Sequence, residues 1–309
     1  MTMRVAVLGE CMVEIRHLDA EFARFSFGGD VLNTAIYLTR LGFPTRFVTA
    51  LGDDAYSTRM LAAWRYEGVL TDTVRIVPGR LPGMYVIETS PEGERRFLYW
   101  RTDSPARDVF TAANAEETTK ALIDTDVLFL SGITLSLYGE AGLWRLFAAL
   151  KMAHRKGVRI VFDTNFRPRN WPDLSIARAA FAELADVVDI VLAGDEDTSL
   201  LFGGNDAEAA LRDWLDFGRT EVVLKCGAHA CRIWSGGATF EAAPEHVDKV
   251  VDTTAAGDSF AAAYLAARLK GAAPDVAARA GHRLAATVIC HPGAIIPKSA
   301  MPELDMAAT

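Results

Sequence analysis

What most constrains this chain is an alternation of short apolar β-like runs with amphipathic helical stretches, sustained over most of its 309 residues. Residues 5–8, 46–50, 127–130, 159–162, 190–192 and 222–224 read as strands buried on both faces. Between them, residues 31–41 (closed by Gly42) and 55–67 (closed by Gly68) carry helical patterning with a glycine stop. Leu143, Leu146, Phe147 and Leu150 set another apolar face at helical spacing, and 258–269 and 274–289 are expected to be the last long helices. Parallel neighbours need long crossovers, and helices between strands supply them, so the pattern predicts an α/β fold with a parallel sheet covered by helices.

One segment breaks the rhythm. Residues 83–89 and 95–101 alternate like two strands around Ser90-Pro91-Glu92-Gly93-Glu94, a hairpin inserted into an α/β chain. With residues 11–16 it is expected to form a small sheet outside the main one. There is no internal repeat, low-complexity tract or linker, so residues 1–309 read as one domain carrying a lid built from about 11–16 and 83–101.

The net charge of −8 argues against nucleic acid or an anionic membrane as a partner over a broad surface. Cys11, Cys226, Cys231 and Cys290 form no C-x-x-C pair and read as free thiols. The start, Met-Thr-Met-Arg before a four-residue apolar run, does not resemble a signal peptide, and no stretch is long enough to span a bilayer. These features together predict a cytoplasmic location.

The strongest chemical signal is Asp252-Thr253-Thr254-Ala255-Ala256-Gly257-Asp258-Ser259-Phe260, which runs into the helix-forming Ala261–Ala266. Small residues at a helix start leave N–H groups pointing outward, and the helix dipole adds positive charge, which suits a phosphate. Gly257 permits close approach of a ligand to the backbone. Asp258, in the first turn, is placed either as a base for an attacking hydroxyl or only as a partner of the dipole.

This nonamer resembles the Asp-Thr-x-Gly-Ala-Gly-Asp signature of the ribokinase-like (PfkB) carbohydrate kinases, with Ala255 in place of the usual Gly. Further segments match in order over nearly the full length. Gly28-Gly29-Asp30-Val31-Leu32-Asn33 is similar to the family's N-terminal Gly-Gly motif, in which glycines allow close approach of a sugar hydroxyl and Asp30 and Asn33 bond hydroxyls. Asp163-Thr164-Asn165-Phe166-Arg167-Pro168 follows a strand, and the resemblance implies that Asn165 and Arg167 lie between nucleotide and acceptor. Lys225-Cys226-Gly227-Ala228-His229-Ala230 resembles the nucleotide loop, with Lys225, Gly227, Ala228 and Ala230 at the nucleotide and His229 exposed. Residues 193–196 stand where the family has Asn-x-x-Glu; Glu196 matches and implies water-mediated support of Mg²⁺, while Ala193 replaces the Asn.

The resemblance implies a ribokinase-like three-layer α/β/α fold with a mostly parallel central sheet and a small β-sheet lid. It also implies ATP and Mg²⁺, Asp258 as general base, and an anion hole from Ala255, Ala256 and Gly257. A monovalent cation held by carbonyls near Asp252 is a further possibility of the family. The Thr-Thr-Ala-Ala-Gly-Asp form, the lid segments Leu81–Tyr85 and Tyr99–Arg101, and the closing His291–Pro297 look like the branch that phosphorylates 2-keto-3-deoxygluconate at its 6-hydroxyl. Strand alternation puts Phe97, Tyr99 and Arg101 on one face with Tyr85 nearby, so that Arg101 can pair with a carboxylate, and leaves Leu98 and Trp100 for the core or a partner subunit. Homo-oligomers through the lid are expected. Fructose or 5-dehydro-2-deoxygluconate is the rival acceptor within the class. Outside it stand a nicotinamide-dependent dehydrogenase, disfavoured because no G-x-G-x-x-G follows residues 5–8, and a silent sugar-binding regulator, disfavoured because Asp258 is retained.

Overall fold

The computed structural model describes residues 2–17, 21–89, 95–203, 209, 212, 214–215 and 221–307. Fourteen strands are numbered along the described residues: β1 (Val5–Leu8), β2 (Met12–His17), β3 (Ala23–Gly28), β4 (Thr45–Val48), β5 (Ala50–Gly52), β6 (Arg75–Val77), β7 (Met84–Thr89), β8 (Arg95–Trp100), β9 (Val127–Ser131), β10 (Arg159–Asp163), β11 (Ile190–Gly194), β12 (Glu221–Lys225), β13 (Cys231–Ser235) and β14 (Ala238–Ala242). Eight of them form one sheet in the order β14-β13-β12-β11-β10-β9-β1-β4. From β12 to β4 every pairing is parallel; β13 and β14 add an antiparallel edge.

The apolar runs alternate between two cores, as a period of two dictates. Val5, Val7, Phe47, Phe129, Val161 and Val223 face one core, formed with helices Asp30–Arg40, Ala55–Glu67, Ala256–Leu269 and Pro274–Ile289. Ala6, Leu8, Val48, Leu130, Phe162 and Leu224 face the other, formed with Ala115–Ile123, Glu140–Arg155 and Leu174–Leu184. Helix limits follow local chemistry. Asp54 caps Ala55–Glu67 by accepting from the N–H groups of Tyr56 (2.8 Å) and Ser57 (3.2 Å), and Gly68 closes it at φ 87°, a conformation open to glycine.

A second sheet, in the order β3-β2-β7-β8, is the expected lid, enlarged by β3. The turn expected at 90–94 lies outside the described residues. The strand expected at 46–50 is divided: Thr45–Val48 pairs with β1, whereas Ala50–Gly52 leaves the large sheet to pair with β6. The antiparallel edge was not expected. Its turn is Gly236-Gly237, at φ 58° and 85°, the two-residue connection that suits strand twist.

Candidate active site

Traced along the chain, the large sheet grows from β1 to β4 on one side and from β9 onward on the other. The strand order therefore reverses between β1 and β9, and a crevice beyond the carboxyl ends of the strands is where an open α/β sheet receives ligands. A cleft of about 720 Å³ lies there, walled by Glu10 after β1, Asp163 at the end of β10, Gly194 at the end of β11 and Lys225 at the end of β12. One face of the lid, carrying Met12, Glu14, Tyr85, Phe97 and Tyr99, forms the opposite wall.

Most residues singled out from the sequence meet in this cleft: Gly28, Gly29, Asp30, Asn33, Tyr85, Tyr99, Arg101, Asn165, Arg167, Glu196, Lys225, Gly227, Ala255, Ala256, Gly257 and Asp258. Ala228 and Ala230 do not line it. The N–H of His229 donates to the carbonyl of Cys226 (2.9 Å), and the tight turn at Gly227 (φ 56°) leaves Ala228 and His229 in solvent.

Asp258 lies in the first turn of helix Ala256–Leu269. Asn33 Nδ2 donates to its Oδ2 (2.8 Å), and Asn165 Nδ2 donates to Asp30 Oδ2 (2.8 Å), so the three motif segments are joined by side-chain bonds. Burial, then the charge of Asp30 and that of Asp163, push the Asp258 carboxyl up to about 8, against the opposing effects of Asn33 and Lys225. Asp163 is buried, and its two oxygens accept from Lys225 Nζ (3.0 and 2.8 Å). This pair holds the ammonium beside the helix start, where a Cβ added to Gly257 would lie 3.8 Å from it.

The helix start is shaped differently from expectation in one respect. Ala255 sits at φ 62°, in the left-handed region, at a cost of about 1 kcal/mol for a residue with a Cβ. The N–H of Ala256 is used by the carbonyl of Thr253 (3.2 Å). Those of Gly257 and Asp258 have no carbonyl partner within the helix and are the free donors of its first turn. Asp252 accepts from Thr254 N (3.0 Å), Thr254 Oγ1 (2.6 Å) and Gly293 N (3.1 Å), and pairs with Arg16 of β2 (3.4 Å).

The glycine pair has a structural reason other than ligand approach. A Cβ on Gly28 would fall 2.0 Å from Tyr85 Oη, and one on Gly29 would fall 2.4 Å from the carbonyl of Glu10. Arg101 follows β8 directly and is not free: its Nη2 lies 2.5 Å from Oε2 of buried Glu10. Arg167 Nη1 donates to Asp197 (3.2 Å) and to the carbonyl of Phe166 (2.8 Å).

A pfkB family carbohydrate kinase model matches residues 3–301. The chain belongs to that family. Its match to the 2-dehydro-3-deoxygluconokinase of Dickeya dadantii is 41% identical, covering 97% of this chain and 99% of that one. The Escherichia coli K12 protein of the same name is 38% identical over 98% and 100%. Among solved structures, the 2-dehydro-3-deoxygluconokinase of Thermotoga maritima superposes with a TM-score of 0.85 at 24% identity, covering 96% and 95%. A putative E. coli ribokinase II in complex with ATP and Mg²⁺ gives 0.83 at 22% identity, covering 94% of each chain. The ribokinase-like fold expected from the motifs is thereby shown.

Among the wall residues of this pfkB kinase that were not singled out from the sequence are Glu10, Glu14, Asp197 and Arg169. Glu14 was within reach, since alternation along β2 puts it on the same face as Met12. Arg169 stands two residues after Arg167 in the same loop. Glu10 and Asp197 carry no local mark; their partners, Arg101 and Arg167, are 91 and 30 residues away.

Proposed function

We propose that this pfkB kinase is a 2-dehydro-3-deoxygluconokinase, which transfers the γ-phosphoryl group of ATP to the 6-hydroxyl of 2-keto-3-deoxygluconate. The observation that carries this reading is the presence, in one cleft, of a half-buried carboxylate at a helix start and a half-buried arginine under an aromatic lid. The relatives of that name at 38–41% identity support it.

The roles follow from position. Asp258 takes the proton of the acceptor hydroxyl, the freed oxygen bonds to the γ-phosphorus, and the bond to the β,γ-bridging oxygen breaks to release ADP. The N–H groups of Gly257 and Asp258, with Lys225 Nζ, offset charge on the transferring group. Arg101, on the cleft wall beside Tyr99, orients the substrate carboxylate. The residues present fit Mg²⁺ in an indirect way. Glu196 is an exposed carboxylate on the cleft wall, and among the described residues no group of three or more His, Cys, Asp or Glu forms a protein cage. Glu196, acting through water, would help hold Mg²⁺ beside the phosphates, where the ion would supply neutralising charge.

Kinetics of Arg101 variants test the carboxylate assignment. Arg101→Ala is expected to raise KM for the keto acid about 10- to 150-fold, the range of a charge-assisted hydrogen bond, with KM for ATP little changed. Arg101→Lys should lie between, since it keeps the charge and loses the planar fork. An unchanged keto-acid KM in Arg101→Ala would remove the assignment.

A further inference from the structure

One polar and aromatic row crosses the whole lid, one residue from each strand. Ser26 (β3) donates to Glu14 Oε1 (2.8 Å), Glu14 (β2) accepts from Tyr85 Oη (2.5 Å), and Tyr85 (β7) stacks on Tyr99 (β8) at 5.7 Å between centroids. Register accounts for the row, because Glu14 lies opposite both Ser26 and Tyr85, and Tyr85 lies opposite Tyr99. The row does not end within the lid. Arg169 reaches it from the short turn after β10, donating through Nη2 to Tyr99 Oη (2.6 Å) with its guanidinium carbon 4.4 Å from the centre of the Tyr99 ring.

That turn also carries Asn165, bonded to Asp30, and Arg167, bonded to Asp197. Pro168 narrows the backbone freedom between Arg167 and Arg169. Lid and large sheet thus meet at the cleft wall, at a residue two positions from Arg167, which the motif resemblance places between nucleotide and acceptor.

We propose that Arg169 is a positioning residue for phosphoryl transfer: it fastens the lid row to the loop of Asn165 and Arg167, so that the acceptor is covered only when that loop is in place. The inference rests on the kinase reading above. Its consequence concerns water. When the lid is fastened, the γ-phosphoryl group passes to the sugar hydroxyl, whose proton goes to Asp258. When the lid is loose, water attacks the same phosphorus, its proton also goes to Asp258, and ADP leaves with inorganic phosphate instead of a sugar phosphate.

The test uses the full-length enzyme, with ADP, inorganic phosphate and phosphorylated acceptor quantified together. Arg169→Ala is expected to raise acceptor KM about tenfold, the scale of a hydrogen bond with a cation–π contact at an exposed site. It should also raise the share of ADP that appears with free phosphate, while KM for ATP stays near wild type. Arg169→Lys, which retains a cation over the ring, should recover part of both effects. Tyr99→Phe should show a smaller defect, and adding it to Arg169→Ala should worsen that variant by less than the separate effects combined. Folded Arg169→Ala with wild-type KM and wild-type phosphate leak would overturn the proposal. So would a defect that is additive with Tyr99→Phe and confined to acidic acceptors, since Arg169 would then bind the carboxylate directly. Any acceptor that wild type phosphorylates serves for this test, so a wrong acceptor assignment and a wrong role for Arg169 give different results.

Discussion

Removing the Asn33 amide should move the pH dependence of the enzyme by a predictable amount. Asn33 Nδ2 is 2.8 Å from Asp258 Oδ2 and stabilises the ionised form of a carboxylate that burial and Asp30 have raised to about 8. A hydrogen bond to a charged group contributes about 1.5–3 kcal/mol. At about 1.36 kcal/mol per pKa unit, its loss in Asn33→Ala should raise the carboxyl by roughly one to two units more. The acid limb of kcat/KM, which reports the free enzyme's base, should therefore move from near 8 to roughly 9–10, with a loss of about 10- to 100-fold at pH 7. The assay is initial rate of ADP formation from pH 5.5 to 10 at subsaturating acceptor. Position of the limb is the readout, because Asn33 also lines the cleft and its loss is expected to change KM as well. Asp30→Asn supplies a control of opposite sign: it removes the largest neighbouring charge that raises Asp258, so its limb should move toward acid. An Asn33→Ala limb that stays with wild type would refute the assignment of the limb to Asp258 and the electrostatic reasoning with it.

Two further outcomes follow. Asp258→Asn should lose at least about 100-fold in kcat while still binding ATP, yet gain thermal stability. The carboxyl's value of about 8 in the folded protein exceeds its ordinary 3.8, so wild type loses stability as pH rises between those values. The melting-temperature advantage of Asp258→Asn should thus widen from pH 5 to pH 8, and an advantage that is absent or independent of pH would contradict the burial argument. The outer lid face, where Trp100 and Phe25 are exposed, supports association of two copies through the lid. Light scattering at micromolar concentration should give at least twice 33.6 kDa, and a fully active monomer would exclude it.

Strands β1 and β9 to β12 were legible because both of their faces are buried, which leaves continuous apolar runs in the sequence. The end of β4 was not. At Thr49 the chain leaves the large sheet, and the carbonyl of Thr49 accepts from Arg75 (3.0 Å), a pairing that no local pattern records. The edge hairpin β13–β14 did carry a mark, Gly236-Gly237 between two alternating runs. In the site, Asp258 was readable because a helix start, small residues and an acid adjoin in sequence. The departure at Ala255 was visible as a letter, and the structure supplies its meaning, a left-handed backbone where the family usually has glycine. Glu10 was not readable, because its role exists only once the fold brings Arg101 against it. The same holds for Arg169, which becomes part of the site through Tyr99, 70 residues away.

The central claim is that this cleft phosphorylates a sugar acid at its terminal hydroxyl. The most direct measurement is an acceptor panel, with 2-keto-3-deoxygluconate, fructose, ribose and gluconate assayed in parallel for ADP release and the product examined by ³¹P NMR. The expected result is a kcat/KM for the keto acid well above the other three, and a single phosphomonoester coupled to the protons of carbon 6. A preference for fructose, or phosphate at another carbon, would contradict it and would place the chain in a neutral-sugar branch of the family.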